Sequence, residues 1–218
     1  MNKKKRILIL KQLEKNNHKY KKNSLKYHSP FELLISVMLS AQCTDIRVNK
    51  ITNRLYKIAN TPEKFLSLGI NKIRYLIKSI GLFNKKAKNI IEISKILIKY
   101  HNSQIPNNRK ELESLPGVGR KTANIILNTI FNFPTIAVDT HVFRFCKRTK
   151  FVTGNNVLEI EKKLIQKVPT KYKKNCHYFF LNHARYICTA KNPKCQSCII
   201  NKLCEFKKKK TNIHLFLK

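Results

Sequence analysis

The sequence predicts an all-α fold, and three observations support that prediction. Apolar residues recur mainly at the three- and four-residue spacing of helices, and the alternation typical of strands is nearly absent. Helix-start signals, such as Ser29-Pro30 and Thr61-Pro62, stand immediately before several of the periodic segments. The 218 residues are 42% hydrophobic, enough to form a globular core, and about ten helices without an internal repeat are expected.

Each predicted helix in the first half of the chain has its own signal. A basic amphipathic pattern covers residues 3–16, and a polar connector follows at 17–26. Ser29-Pro30-Phe31-Glu32 supplies a cap, a proline at the first helical position and a capping-box glutamate, and the helix after it is apolar all round and therefore buried. Further helices are predicted at 45–58, from Thr61-Pro62, at 70–80, and after the break at Gly81-Leu82-Phe83-Asn84.

The second half of the chain is predicted to begin with two helices joined by a tight turn. Residues 109–114 form the first helix, and apolar residues at helical spacing predict the second over 122–131. A short extended segment is expected at 134–138. Helices are then predicted from Asp139, at 156–167 and at 174–187.

The charge of the chain predicts a polyanionic partner. There are 46 Lys and Arg residues against 11 Asp and Glu, a formal net charge of +35, and nucleic acid is the usual partner of such a chain. Drift toward A/T-rich codons would also enrich Lys, so the sign of the charge is more informative than its size. No run has membrane length, and the four apolar residues after Arg6 are too few for a signal peptide, so we expect a cytoplasmic, reducing location.

The turn Leu115-Pro116-Gly117-Val118-Gly119-Arg120-Lys121 is predicted to contact phosphate. Its two glycines allow the backbone to come close to a partner, and the helix after it offers N–H groups and the positive end of its dipole. Gly117, Gly119 and Arg120 are therefore DNA-binding candidates. A lysine at position 121 opposes the helix dipole and lies beside Arg120, and both effects favour a neutral amine suited to Schiff-base chemistry. A lysine that only contacts phosphate explains the same local sequence equally well.

Four of the seven cysteines predict a metal centre. They follow a Cys-x6-Cys-x2-Cys-x5-Cys spacing in a chain without secretory features, and this spacing suits tetrahedral zinc and a four-iron cluster equally well. The four are Cys188, Cys195, Cys198 and Cys204. The others are expected to be small core residues: Cys43, Cys146 and Cys176.

The hairpin, the segment Thr135-Ile136-Ala137-Val138-Asp139-Thr140-His141 and the cysteine spacing together resemble the endonuclease III family of helix-hairpin-helix DNA glycosylases and abasic-site lyases. The resemblance runs from Met1 to about residue 207. It implies two helical lobes with a central DNA-binding cleft. A six-helix barrel at 22–132 would include the helix-hairpin-helix at about 109–131, and residues 1–21 plus 133–218 would form a discontinuous iron–sulfur domain.

The resemblance also implies a cofactor and a reaction. The four cysteines would hold a structural [4Fe-4S] cluster, whose loop offers Lys191 and Lys194 to the DNA backbone. A damaged pyrimidine in double-stranded DNA would be extruded, Lys121 would attack C1′ of its sugar, and β-elimination from the Schiff base would cut the strand 3′ to the abasic site. Asp139, which is also a plausible helix N-cap, would accept a proton or stabilise positive charge on the sugar.

Some residues are given weaker roles by the resemblance. Gln42 and Leu82 match segments that fill the space left by the extruded nucleotide, although a surface glutamine and an inward-packed leucine explain them equally well. His141 is either a phosphate or active-site neighbour or a hydrogen-bonded residue at a helix start. Three positions depart from the family pattern without touching the expected catalytic or ligand residues: Cys43, Asn182 and Ala184. A monomer associated with the nucleoid is expected.

Four alternatives are kept at this point. An adenine glycosylase of the same superfamily lacks the lysine nucleophile and carries an extra C-terminal domain, so Lys121 and the chain end at 218 argue against it. Lys121 also argues against a thymine-mismatch glycosylase. A non-catalytic DNA-binding module stapled by zinc would use Lys121 only as a phosphate contact. A small electron carrier is disfavoured by the charge of +35.

Overall fold

The computed structural model describes residues 1–17, 24–207 and 209, and all regular structure within them is helical. The all-α prediction is confirmed. The predicted connector at 17–26 and the lysine run that begins at residue 207 lie partly outside the described residues. The described residues form ten helices: α1 (Lys3–Asn17), α2 (Pro30–Leu39), α3 (Asp45–Ile58), α4 (Pro62–Ile77), α5 (Phe83–His101), α6 (Arg109–Ser114), α7 (Arg120–Thr129), α8 (Thr140–Thr149), α9 (Val157–Lys167) and α10 (Thr170–Tyr186).

The helices divide into two compact units, each with its own hydrophobic core. One unit lies within Lys22–Asn132 and contains α2 to α7. The other lies within Met1–Lys21 and Phe133–Lys218 and contains α1 and α8 to α10. No helix in the described part of the chain is long and apolar enough to cross a bilayer.

Helix α2 is the centre of the first unit. Every residue from Phe31 to Leu39 is buried, and the helix packs against α3, α5 and α7. Full burial of one aliphatic or aromatic side chain contributes about 1.5–3 kcal/mol, so a helix buried on all sides contributes substantially to this unit's stability. The prediction that this helix is apolar all round and buried is confirmed.

Polar groups at the start of α2 are satisfied within the first unit. The Ser29 hydroxyl accepts a hydrogen bond from the Glu32 N–H at 3.1 Å, which confirms the predicted cap. The Glu32 carboxylate accepts from the His28 N–H at 2.6 Å, whereas a capping box places this bond at the Ser29 N–H. Tyr56 donates to the Glu32 carbonyl at 2.8 Å and lies 2.7 Å from the Ser36 hydroxyl.

Three helix boundaries differ from the predictions, each for a local reason. The two helices predicted on either side of Gly69 form one element, α4, with a kink at that glycine, whose φ of 77° and ψ of 157° suit glycine alone. Helix α7 begins at Arg120, two residues before the predicted start, because polar residues of its first turn carry no apolar period. Helix α10 begins at Thr170, ahead of the predicted residue 174, because its first turn has a single buried residue, Tyr172, which alone gives no apolar period.

An aromatic group forms the core of the second unit. The rings of Phe145 and Phe180 stack with their centroids 4.5 Å apart, and Phe151 meets Phe180 edge-on at 5.0 Å. Cys146 and Cys176 are fully buried in this core, as predicted, and burial raises the pKa of both thiols. The segment at 135–138 is buried without forming a strand, so it leads directly into α8 as a fixed support.

Candidate nucleic-acid interface and metal centre

Buried apolar side chains anchor the hairpin between α6 and α7 in the core. Leu112, Leu115 and Val118 are buried, and the Val118 N–H donates to the Leu115 carbonyl at 3.0 Å to close the turn. Gly117 and Gly119 remain exposed at the tip. The turn therefore presents backbone to solvent from a fixed base.

Glycine occupies the two positions of the hairpin for different structural reasons. Gly117 has a φ of 79°, which strains any other residue, and a Cβ there would lie 2.3 Å from Asn89 Nδ2 of α5, so that side chain would have to move. A Cβ at Gly119 would meet nothing of the chain within 4 Å, so the space beside it is left open for a partner. Gly119 is also the N-cap of α7 and has no side chain to bond the first-turn N–H groups, which is the arrangement of an anion site.

Arg120 and Lys121 are the first two residues of α7, and both are exposed. The opposite side of the helix is anchored in the core through Ala123 and Ile126, which are fully buried. The Lys121 amine is thus carried by the first turn of a packed helix, beside the open backbone of Gly119.

Asp139 is the N-cap of α8 in the second unit. Its Oδ1 accepts a hydrogen bond from the Val142 N–H at 2.8 Å, and the side chain is half-buried between Val138 and Val142, which are buried. The cap prediction is confirmed, and the carboxylate is held in one orientation at the positive end of a helix dipole. Arg144 also donates to Nδ1 of His141 at 3.2 Å, so His141 is a hydrogen-bonded residue at the start of the helix.

Gln42 and Leu82 both lie in exposed turns of the first unit. Their φ angles are 60° and 58°, in the left-handed region that few residues other than glycine adopt. Leu82 is 61% exposed, so the alternative of a leucine packed inward is wrong. Both side chains are therefore presented outward on turns with a strained backbone.

The four cysteines predicted as ligands line one cavity in the second unit. Cys188, Cys195, Cys198 and Cys204 surround about 350 Å³ of space that is partly open to solvent, together with apolar residues such as Ile187 and Ile200. All four thiols are free. In the described part of the chain, no three His, Cys, Asp or Glu side chains are grouped as around a single metal ion.

The environment of these thiols disfavours the free thiolates. Burial is the main reason that the pKa of Cys198 is raised to about 11; repulsion from the other three thiols adds to the rise, and a backbone hydrogen bond at Ile200 opposes it. Burial and the neighbouring thiols likewise raise the pKa of Cys204. Iron ions would remove this penalty by binding the thiolates, so the residues fit an iron–sulfur cluster.

His183 lies beside this cavity but belongs to the core. Its Nε2 is 3.5 Å from the Cys198 Sγ, and its ring packs edge-on against Phe145 at 5.7 Å. Burial lowers its pKa to about 4. His183 is therefore a packing residue of the core.

Two arginines that the sequence did not single out fasten the cysteine segment, residues 188–204, to α8. Arg144 donates to the carbonyls of Cys188 at 3.1 Å and Ala184 at 2.7 Å. Arg148 donates to the Ala190 carbonyl at 2.6 Å and also bonds the Thr189 carbonyl. Nothing local in the sequence marks them, because their partners lie about forty residues away. Lys191 and Lys194 lie on the same segment and are exposed.

Comparison with known proteins identifies two regions of the chain. A family model described as the HhH-GPD superfamily of base excision DNA repair proteins matches residues 35–170. A second model, the iron–sulfur binding domain of endonuclease III, matches residues 188–204, which begin and end at candidate ligands. This match confirms the expected iron–sulfur cofactor, a [4Fe-4S] cluster.

Relatives extend the similarity over nearly the whole chain. Endonuclease III of Escherichia coli (strain K12) is 54% identical over 209 residues, which cover 96% of this chain and 99% of that protein. Endonuclease III of Buchnera aphidicola subsp. Acyrthosiphon pisum is 59% identical over 209 residues, with the same coverage of 96% and 99%.

Solved structures agree with these relatives. A trapped endonuclease III–DNA covalent intermediate superposes with a TM-score of 0.85 at 40% identity and covers 94% of this chain and 96% of its own. A thermostable thymine-DNA glycosylase superposes with a TM-score of 0.83 at 24% identity, which shows the shared fold alone. With this extent of similarity, the chain belongs to the endonuclease III family of the HhH-GPD base-excision repair superfamily.

Proposed function

We propose that the protein is a bifunctional DNA glycosylase and abasic-site lyase acting on oxidised or damaged pyrimidines in double-stranded DNA. The observation that carries the proposal is Lys121, an exposed amine on the first turn of the hairpin helix, beside the open backbone of Gly119. Its support from outside the chain is the similarity to an endonuclease III trapped in a covalent intermediate with DNA. Binding and chemistry would then use the same short segment.

The hairpin and the exposed turns would bind and open the duplex. The backbone of Gly117 and Gly119 and the side chain of Arg120 would contact phosphate, since a helix N-terminus and a guanidinium both bind that anion. Gln42 and Leu82 would occupy the space that the extruded nucleotide leaves. Extrusion is required because C1′ of a stacked nucleotide is out of reach of a side chain.

The chemistry would proceed by nucleophilic substitution followed by elimination. The Lys121 nitrogen bonds to C1′ as the C1′–N bond to the base breaks, and the sugar ring then opens to a Schiff base. Asp139 either accepts the proton that the amine loses or stabilises the positive charge on the sugar. Loss of a proton from C2′ breaks the C3′–O bond, and water releases the amine.

The four cysteines would hold the [4Fe-4S] cluster as a structural cross-link. When bound, the cluster supplies four iron–thiolate bonds that fix the fold of the cysteine segment. Arg144 and Arg148 hold that segment on α8. Lys191 and Lys194 would contact the DNA backbone from it. We expect a monomer that acts on the nucleoid in the cytoplasm.

Rates of two reactions test the proposal. Wild type, Lys121→Ala and Lys110→Ala are compared on a duplex with one ring-saturated thymine, by base release and by strand cleavage. Lys110 is the matched control, an exposed lysine on α6 of the same hairpin motif. Lys121→Ala is expected to lose at least ~100-fold in both reactions, with Lys110→Ala near wild type. Base release that survives in Lys121→Ala would contradict the proposed nucleophile and indicate a monofunctional glycosylase.

A further inference from the structure

A buried lysine joins the two exposed turns of the first unit. Lys86 lies in the first turn of α5 and is only 7% exposed, although lysine is almost never buried without a partner. Its ammonium donates to the Leu39 carbonyl at 3.0 Å and to the Ala41 carbonyl at 2.7 Å. Its backbone N–H donates to the Leu82 carbonyl at 3.0 Å. One residue therefore bonds both turns.

The positions of these carbonyls explain why the charged Lys86 side chain is buried here. Leu39 ends α2, and Ala41 directly precedes Gln42, so both carbonyls belong to a helix C-terminus that lacks further helical donors. A cation is favoured there by the helix dipole. The other bonds that shape this turn are local to it, from Ser40 to the Val37 carbonyl and from the Cys43 N–H to the Ser40 carbonyl. Lys86 provides the link to another helix.

Helix α5 also contacts the hairpin. Asn89, three residues after Lys86, is the side chain against which Gly117 packs. The first two turns of α5 thus follow directly after Leu82. Lys86 bonds them to the turn that carries Gln42, and Asn89 contacts Gly117 of the hairpin. Burial lowers the pKa of Lys86, and the nearby Cys43 opposes that shift.

We infer that Lys86 is a positioning residue for nucleotide extrusion, which fixes the turn of Gln42 to the start of α5 so that Gln42 and Leu82 enter the duplex as one rigid unit. The inference rests on the proposed function, because it assigns these two side chains to the vacated base position. A wedge that is ordered in advance does not lose conformational entropy when it enters DNA. A loose turn would lose that entropy during extrusion, and base release would slow.

This reasoning predicts different effects on two substrates. Release of a damaged base requires a stacked nucleotide to be extruded, whereas a preformed abasic site has no base to unstack. Loss of Lys86 should therefore slow single-turnover base release at least ~10-fold, while strand cleavage at an abasic site changes less than about threefold. A residue that only stabilises the fold would change both rates alike, or neither.

The experiment compares wild type with Lys86→Met, which removes the bonds to Leu39 and Ala41, and with Lys86→Arg, which keeps the charge and donors. Lys86→Arg is expected to recover most of the base-release rate. Lys99→Met is the matched control, because Lys99 is exposed and lies about 20 Å farther along the same helix. If Lys86→Met does not fold, as judged by circular dichroism, Lys86→Gln carries the comparison, since its amide can still donate to one carbonyl.

A double-mutant cycle then tests whether Lys86 acts on base release through Gln42. If Lys86 acts through Gln42, Lys86→Met should slow base release much less in a Gln42→Ala background than in wild type. Equal losses on both substrates, no loss on either, or full additivity with Gln42→Ala would overturn the inference while the proposed function stands. A wild type that neither releases the base nor cleaves an abasic site would instead overturn the proposed function, and this inference with it.

Discussion

Replacing Asp139 with asparagine would separate its role as a helix cap from its proposed role in the chemistry. The carboxylate caps α8 through the Val142 N–H at 2.8 Å, and the amide oxygen of asparagine can accept the same hydrogen bond. Asparagine has no negative charge and cannot serve as a proton acceptor at neutral pH. Asp139→Asn therefore keeps the cap and removes the proposed chemistry, whereas Asp139→Ala removes both.

The expected magnitudes differ enough to be measured. Loss of the charge at the helix N-terminus costs about 0.3–1 kcal/mol, and loss of the cap costs about 0.5–2 kcal/mol more. For a chain of this size each kcal/mol lowers Tm by about 2–4 °C, so Asp139→Asn should lower Tm by less than about 4 °C. Both variants should lose ~10²–10⁴-fold in base release, because a positioned proton acceptor contributes that much.

The assay pairs thermal unfolding with single-turnover base release. Asn156→Ala is the control, since Asn156 caps α9 of the same unit through the Glu159 N–H at 2.9 Å. That variant should lose stability like a missing cap and keep its activity. The reasoning is refuted if Asp139→Asn releases the base at the wild-type rate, because Asp139 would then be a cap and nothing more.

Three further predictions concern stability and DNA binding. Tyr56→Phe should cost about 1–3 kcal/mol at pH 7 by removing two partly buried hydrogen bonds. Burial raises the pKa of Tyr56, so its contribution to stability is complete below the usual tyrosine pKa of ~10 and falls as pH rises above it, which denaturant unfolding at pH 7 and pH 11 would show. Gly117→Ala should lower Tm because of its φ of 79° and the contact with α5, while Gly119→Ala should mainly weaken DNA affinity measured by fluorescence anisotropy. Lys191→Ala and Lys194→Ala should each reduce the slope of log Kd against log salt by about 1 without loss of the cluster's visible absorbance, and an unchanged slope would contradict their backbone contacts.

Much of the fold could be predicted because its signals are local. Helix α2 is marked by its cap, its proline and an uninterrupted apolar run, and α3 has the predicted bounds of 45–58. The caps at Ser29 and Asp139 are also confirmed, since a cap depends on a residue three positions later. The cysteine spacing predicted the position of the metal centre for the same reason, and the family resemblance predicted iron–sulfur.

The remaining features depend on partners far along the chain. Lys86 bonds carbonyls 45 and 47 residues earlier, and a lysine in a helical pattern is ordinarily read as exposed. Arg144 and Arg148 fasten a segment that begins about forty residues later. Such contacts follow from the packing of distant segments, so no short sequence pattern predicts them. The sequence predicts two helices on either side of Gly69, whereas the structure has one kinked element there, because glycine is compatible with both a break and a kink.

The most direct test of the central claim is reductive trapping of the covalent intermediate. Wild type is incubated with duplex DNA that contains one abasic site, borohydride is added, and the modified residue is identified by mass spectrometry of the digested adduct. We predict one adduct at Lys121, absent from Lys121→Ala and unchanged in Lys110→Ala. An adduct at another amine, or one that persists in Lys121→Ala, would contradict Lys121 as the nucleophile.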